Sequence, residues 1–151
     1  MKKRKWWILA AVLWMLTIFT FTQLPFSTGE NTSEVIHKVV GTEHPSLDSA
    51  NDADGQIDLL NLMVRKTTHI LVFGFLAFLL FKSLEVYRFS YLFSWVLTIL
   101  YAMSDEYHQS FMPGRTASIK DVFLFDSVGA FVFLLVTFFI VRKNRRRLKQ
   151  N

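Results

Sequence analysis

The sequence predicts an all-α integral membrane protein with four transmembrane helices, both termini in the cytoplasm, and one short helix in an external loop. Three observations carry this expectation. Of 151 residues, 52% are hydrophobic and only 19% charged, and 16 are Phe, too many for a small water-bathed core. The apolar residues gather in near-uncharged blocks of 15 to 20 residues, the length that crosses a hydrocarbon layer about 30 Å thick. Lys and Arg are distributed with a strong asymmetry between alternate ends of those blocks. A soluble globular domain and a disordered chain are both excluded. Cysteine is absent, which removes disulfide scaffolds, thiolate metal sites and cysteine nucleophiles. Residues 1–151 read as a single membrane domain.

The first block runs from Trp6 to Leu24 behind Met1-Lys2-Lys3-Arg4-Lys5. No small-x-small cleavage site follows it, and Pro25-Phe26-Ser27 reads as a helix end, so a membrane helix is expected there rather than a signal peptide. The second block spans Thr67 to Phe81, the third Phe89 to Met103, and the fourth Val122 to Val141 with one acid, Asp126. Backbone in lipid must satisfy its own hydrogen bonds, so each block is expected to be helical. The helices are placed at about 6–24, 65–84, 88–107 and 121–141, with an external loop at 25–64 and a basic tail at 142–151.

The charges orient these helices. Lys2, Lys3, Arg4 and Lys5, then Lys82 and Arg88, then Arg142, Lys143, Arg145, Arg146, Arg147 and Lys149 fall on one side. Those twelve basic residues and one acid, Glu85, give +11; five basic and eleven acidic residues give −6 opposite. The positive-inside rule makes the first side cytoplasmic. The tail is read as an orientation signal that also attracts anionic lipid, and no nucleic-acid partner is expected.

In the external loop, Ser33 to Gly41 has an N-cap candidate, apolar pairs at helical spacing and a closing glycine, which predicts a short surface helix. Thr42 to Gly55 is polar and expected to be a loop. Leu59, Leu60, Leu62 and Met63 form a stripe expected on the membrane surface or against the other helices. Asp52 to Ile57 imitates the middle of a calcium loop. Aligning Gly55 on the sixth position, however, puts Ala50 and Asn61 where acidic ligands belong, so the motif is rejected. Asn31-Thr32-Ser33 is a glycosylation sequon only in a eukaryotic secretory pathway, and His37 and His44 read as surface histidines.

The unusual polar residues concentrate at the external ends of helices two to four. They are Arg65, Lys66 and His69; Ser104, Asp105, Glu106, His108 and Gln109; Arg115; and Asp121 and Asp126. At 1.5 Å per residue, His69 lies roughly 20 Å from Lys82, Glu106 roughly 26 Å from Phe89, and Asp126 roughly 22 Å from Val141. All three fall just inside the outer edge of the hydrocarbon core. Ionisable groups at that depth face inward and pair, so a shared outward-facing polar pocket is expected. Arg115, turned back by Met112-Pro113-Gly114, is the natural bidentate partner for Glu106, Asp126 or a phosphate. Asp105 shares a helical face with His108 and Gln109. Asp126, Gly129 and Ala130 share a stripe whose small residues permit close helix contact. Ser118-Ile119-Lys120-Asp121 fits a capping box, and Arg65 and Lys66 fit interface anchors. No tight ligand spacing such as HExxH occurs, and neither a metal nor another cofactor is expected.

Arg65-Lys66-Thr67-Thr68-His69, then Asp105-Glu106-Tyr107-His108-Gln109-Ser110-Phe111-Met112-Pro113-Gly114-Arg115, then Asp121 and Asp126-Ser127-Val128-Gly129-Ala130, resemble the VanZ-like family of bacterial membrane proteins. The resemblance covers residues 60 to 135, in a pattern of the form RKxxH, DExHQxFxPGR and DxxxxDxxGA. It implies His69, Glu106, Gln109, Arg115, Asp121 and Asp126 as recurrent functional positions in a bacterial cell envelope. It also implies a link to glycopeptide resistance of the teicoplanin type.

Three functions follow as expectations. The pocket of His69, Asp105, Glu106, His108, Gln109, Arg115, Asp121 and Asp126 binds an anionic lipid or a polyprenyl-linked cell-wall precursor. Alternatively, Glu106, His69 and Asp126 perform acid–base chemistry on such a lipid. Alternatively, the polar cluster only locks the helices of an accessory protein.

Overall fold

The computed structural model describes residues 2–23, 50–111, 118–148 and 150, and every regular element among them is helical. The short surface helix at 33–41, the sequon, His37, His44 and the Met112–Arg115 turn, Arg115 included, lie outside the described residues. Four rods make up the described part of the fold. Helix α1 is Lys2–Gln23 and α2 is Ala50–Leu84. Helix α3 is Ser90–Gln109, and α4 spans Ile119–Arg147. Helix α2 is the central rod and packs against α1, α3 and α4.

Helix α2 begins at Ala50, well before the expected boundary near 65, so residues 50–64 of the segment expected as a loop are helical. Nothing between Asn51 and Val64 stops a helix except Gly55, whose penalty is only about 1 kcal/mol. Once the apolar span is fixed, adding preceding residues needs no new nucleus. The stretch at 50–55 expected as polar loop and the leucine stripe at 59–63 therefore continue the same rod. Likewise α4 starts two residues early, at Ile119, and runs on through Arg147, because arginine is a good helix former and no Pro or Gly interrupts the tail.

Among the described residues three helices, and not four, are long and apolar enough to cross a membrane: Lys3–Thr22, Leu62–Leu84 and Ile119–Arg147. Helix α3 falls short because Ser90, Ser94, Thr98, Asp105, Glu106 and Gln109 interrupt it. All six are buried, together with Ala102, along one face. The hydroxyls close locally, Ser94 Oγ donating to the Ser90 carbonyl at 2.7 Å and Thr98 Oγ1 to the Ser94 carbonyl at 2.8 Å. Its opposite face exposes Leu92, Phe93, Val96, Leu97 and Leu100. This polarity is reversed relative to a helix packed in water. A turn at Glu85–Phe89 delivers α3 antiparallel to α2, with Tyr87 N–H donating to the Leu84 carbonyl at 2.9 Å. Helix α3 therefore starts at the basic end of the bundle and finishes at the acidic end.

Two apolar clusters fill the interior. Phe73, Leu76, Ala102, Val122 and Ile18 form one, and Ala77, Phe81, Ala130 and Leu134 the other. Aromatic side chains tie the rods by donating across to backbone carbonyls. Trp14 Nε1 reaches Val72 at 3.1 Å, Trp95 Nε1 reaches Ser127 at 3.2 Å, and Tyr101 Oη reaches Met15 at 2.6 Å. In apolar surroundings such bonds contribute about 0.6 kcal/mol each. Gly129 lets two backbones meet: a Cβ there would stand 2.5 Å from the Ile70 carbonyl oxygen and 2.8 Å from the Ile70 Cα. The small-residue stripe expected on the last helix thus seats α4 directly on the α2 backbone beside His69.

Candidate functional site

Helix α4 opens irregularly. After Ile119–Asp121 it widens into a π-helical turn, Val122–Asp126, before resuming α-helical geometry at Ser127. A π-turn inserts extra backbone into the α-ladder and recurs at functional sites. Here Val122 and Asp126, at its two ends, are both buried.

Asp126 is 1% exposed, and its Oδ1 lies 3.1 Å from His69 Nδ1 of α2. One turn earlier, Lys66 Nζ bonds Asp121 Oδ1 at 3.2 Å and stands 3.9 Å from the centre of the Phe125 ring. Lys66 and His69 are three apart on α2, and each takes one acid of α4. Glu106, buried near the end of α3, accepts the Ser118 backbone N–H and so anchors the start of α4. Gln109 Nε2 donates to Asp105 Oδ2 at 2.7 Å, both side chains being buried. Asp126 bonds the His69 ring, and Glu106 and Asp105 lie within electrostatic reach of it. His108 lies with its ring 4.8 Å from Phe19 of α1, which brings the first helix to the rim.

The structure therefore unites His69, Asp105, Glu106, Gln109, Asp121 and Asp126. The expected capping box at Ser118 does not form. Ser118 makes no side-chain cap bond, its N–H goes to Glu106, and Asp121 turns to Lys66. An intramembrane lysine is the stronger claimant on that carboxylate. Lys66, read as an interface anchor, is instead part of the cluster, and its i, i+3 spacing to His69 was the available signal. The Ser118 backbone donor had no sequence signal at all. Among the described residues, no group of three or more His, Asp or Glu side chains is arranged to hold a metal ion.

Carboxylates and a histidine converging from three rods, with a re-phased helix aiming one of them, match the spacing of polar motifs that resembled the VanZ-like family. A family model described as VanZ/LLP1 matches residues 6–142. The chain belongs to the VanZ/LLP1 family. The match takes in α1, α2, α3 and nearly all of α4, so the polar cluster and its scaffold both belong to the shared domain. Neither a curated protein nor a solved structure matches the chain. Its apolar helices agree with the membrane placement that VanZ-like membership carries.

Proposed function

We propose that this VanZ/LLP1 protein binds the polar head of an anionic envelope lipid, of the polyprenyl-linked cell-wall precursor class, at its acid–histidine end. The observation that carries this reading is the buried cluster of Asp105, Glu106, Asp126 and His69 beside Lys66, closing one end of an otherwise apolar bundle. Buried carboxylates accept hydrogen bonds from sugar hydroxyls or amines, while Lys66 and Arg115 supply positive charge for a phosphate. Such a headgroup carries both kinds of group. In this reading both termini are cytoplasmic and α3 passes through the same thickness as its neighbours. The acidic end then faces outward, at the level of the outer headgroups. Glycopeptide resistance of the teicoplanin type is the phenotype that sequestering or shielding a precursor head produces.

Native mass spectrometry of the purified protein tests the proposal. The wild type should retain a polyprenyl or phospholipid adduct that Arg115→Ala and Glu106→Gln lose. Identical adducts on all three proteins would end this reading.

A second reading rests on the His69–Asp126 contact at 3.1 Å, in which a carboxylate orients an imidazole as in a general base. The chain would then perform acid–base chemistry on the lipid-linked phosphate or glycoside. Turnover of a labelled substrate should fall sharply with His69→Gln while adduct retention persists. If His69→Gln lowers thermal stability and phenotype in equal proportion, with no turnover in the wild type, the cluster is a helix lock and the protein an accessory one.

A further inference from the structure

The end of the bundle opposite the acid cluster holds a cavity of about 890 Å3. It lies between the α2–α3 turn and the last two turns of α4. Its floor is aromatic: Phe81 and Tyr91 stack with ring centres 4.3 Å apart, and Phe138 meets Tyr91 edge-on at 5.8 Å. Its rim is basic, with Arg88 from the turn and Arg142, Arg145 and Arg146 from α4. The α4 lining residues Phe138, Val141, Arg142, Arg145 and Arg146 recur at three- and four-residue spacing, so they share one helical face. All of residues 142–148 are exposed, but Lys143, Asn144 and Arg147 do not line the cavity. The tail is thus divided into arginines that face a cavity and charges that do not. Among the described residues Glu85 is the one acid in the lining, and Lys82 holds it at 2.5 Å, so it does not neutralise the rim.

An orientation signal requires positive charge anywhere near the helix end. It does not require three arginines on one stripe above an aromatic floor. We propose that this cavity is a binding site for a phosphate ester with an apolar body, the arginines holding the phosphate and the aromatic floor the body. Arginine presents a planar fork that takes phosphate oxygens two at a time, and basic pockets between membrane helices at this level suit anionic headgroups. An anionic phospholipid and a soluble phosphoester share this chemistry.

The test uses the full chain in detergent micelles, titrated with dioleoyl phosphatidylglycerol or dioleoyl phosphatidylcholine and followed by native mass spectrometry. The paired change Asn144→Arg with Arg145→Asn keeps the net charge and the orientation signal but moves one arginine off the cavity face. Phosphatidylglycerol should bind the wild type at least tenfold more tightly than phosphatidylcholine. The paired variant should lose at least fivefold of that affinity, and Lys143→Gln should lose almost none. Should phenyl phosphate displace the lipid at equal concentration, the site takes the soluble ester; should it fail to, the lipid is the ligand. No loss in the paired variant, with or without a loss in Lys143→Gln, overturns the proposal, since binding would then not depend on the cavity face; equal loss in both overturns it as well, since that face would then be no different from the rest of the tail.

Discussion

The His69–Asp126 contact is the most exposed to test, because the burial of its two members is so unequal. The Asp126 side chain is 2% exposed and that of His69 27%. Removing one partner of a fully buried ion pair costs about 3–5 kcal/mol, mostly from the charge left behind. Two features lower this figure for His69→Ala. Water already reaches the ring edge, so part of the lost bond is replaced. The abandoned carboxylate can also take a proton. Neutralising a carboxyl of reference pKa about 3.9 at pH 7 costs about 4 kcal/mol, which caps the penalty. A loss of about 2–3 kcal/mol is expected for His69→Ala, below both figures because the ring edge is already wet. In an Asp126→Asn background no charge is stranded. The same His69→Ala change should then cost about 0.6 kcal/mol, the value of an ordinary interhelical hydrogen bond. The difference, a coupling of about 1.4–2.4 kcal/mol, is what a double-mutant cycle reads.

The four proteins of that cycle can be unfolded from mild detergent by rising dodecyl sulfate. Tryptophan fluorescence serves as the signal, since Trp14 and Trp95 each bond to a neighbouring helix and lose that bond on separation. Equal costs for His69→Ala in both backgrounds, with coupling below about 0.5 kcal/mol, would show that Asp126 does not depend on His69 for its charge. The contact would then be incidental to the charge on Asp126.

Gly129→Val places a side chain against the Ile70 backbone, so α4 must withdraw; a loss of about 1–3 kcal/mol in the same unfolding assay is expected. Lys66→Met should cost at most about 1 kcal/mol, because Lys66 and Asp121 are 29% and 31% exposed. Ser94→Ala should change stability by less than about 0.5 kcal/mol, since its hydroxyl serves only its own helix.

Fold class was legible because lipid imposes one rule on backbone and one on side-chain length. The uncharged runs at 6–24 and 67–81 needed only those rules. What the apolar runs could not show was where α2 begins, because Asn51 to Val64 is helical by propagation from a neighbouring span and not by its own pattern. Composition alone does not mark α3 as a span, because Ser104, Asp105 and Glu106 follow its 15-residue apolar run at once. At the site, depth arithmetic on three helices was enough to bring His69, Glu106 and Asp126 together, because rods of fixed rise leave little freedom along their length. Azimuth was less secure. The π-turn at Val122–Asp126 re-phases α4, and no spacing rule announces it. Asp121 went to Lys66, and not to a cap, because a half-buried cation outranks a backbone donor that Glu106 already satisfies.

The reversed polarity of α3 decides what solvent surrounds the bundle, and it carries the last prediction. Leu92, Phe93, Val96, Leu97 and Leu100 are 40–56% exposed, while Ser94 and Thr98 are 0% exposed. In water this arrangement would present a continuous apolar face and bury hydroxyls that gain nothing from burial. In hydrocarbon each outward Leu, Phe or Val contributes about 0.3–0.6 kcal/mol to insertion. Changing Leu92, Leu97 and Leu100 to Ser forfeits about 1–2 kcal/mol of that term and adds polar groups facing lipid. The triple variant should show a lower membrane-inserted fraction after carbonate extraction, with α3 the segment that becomes protease-accessible. If the triple variant instead keeps the inserted fraction and the stability of the wild type, the outward leucines do not face lipid. The bundle's inside-out pattern would then have no physical cause.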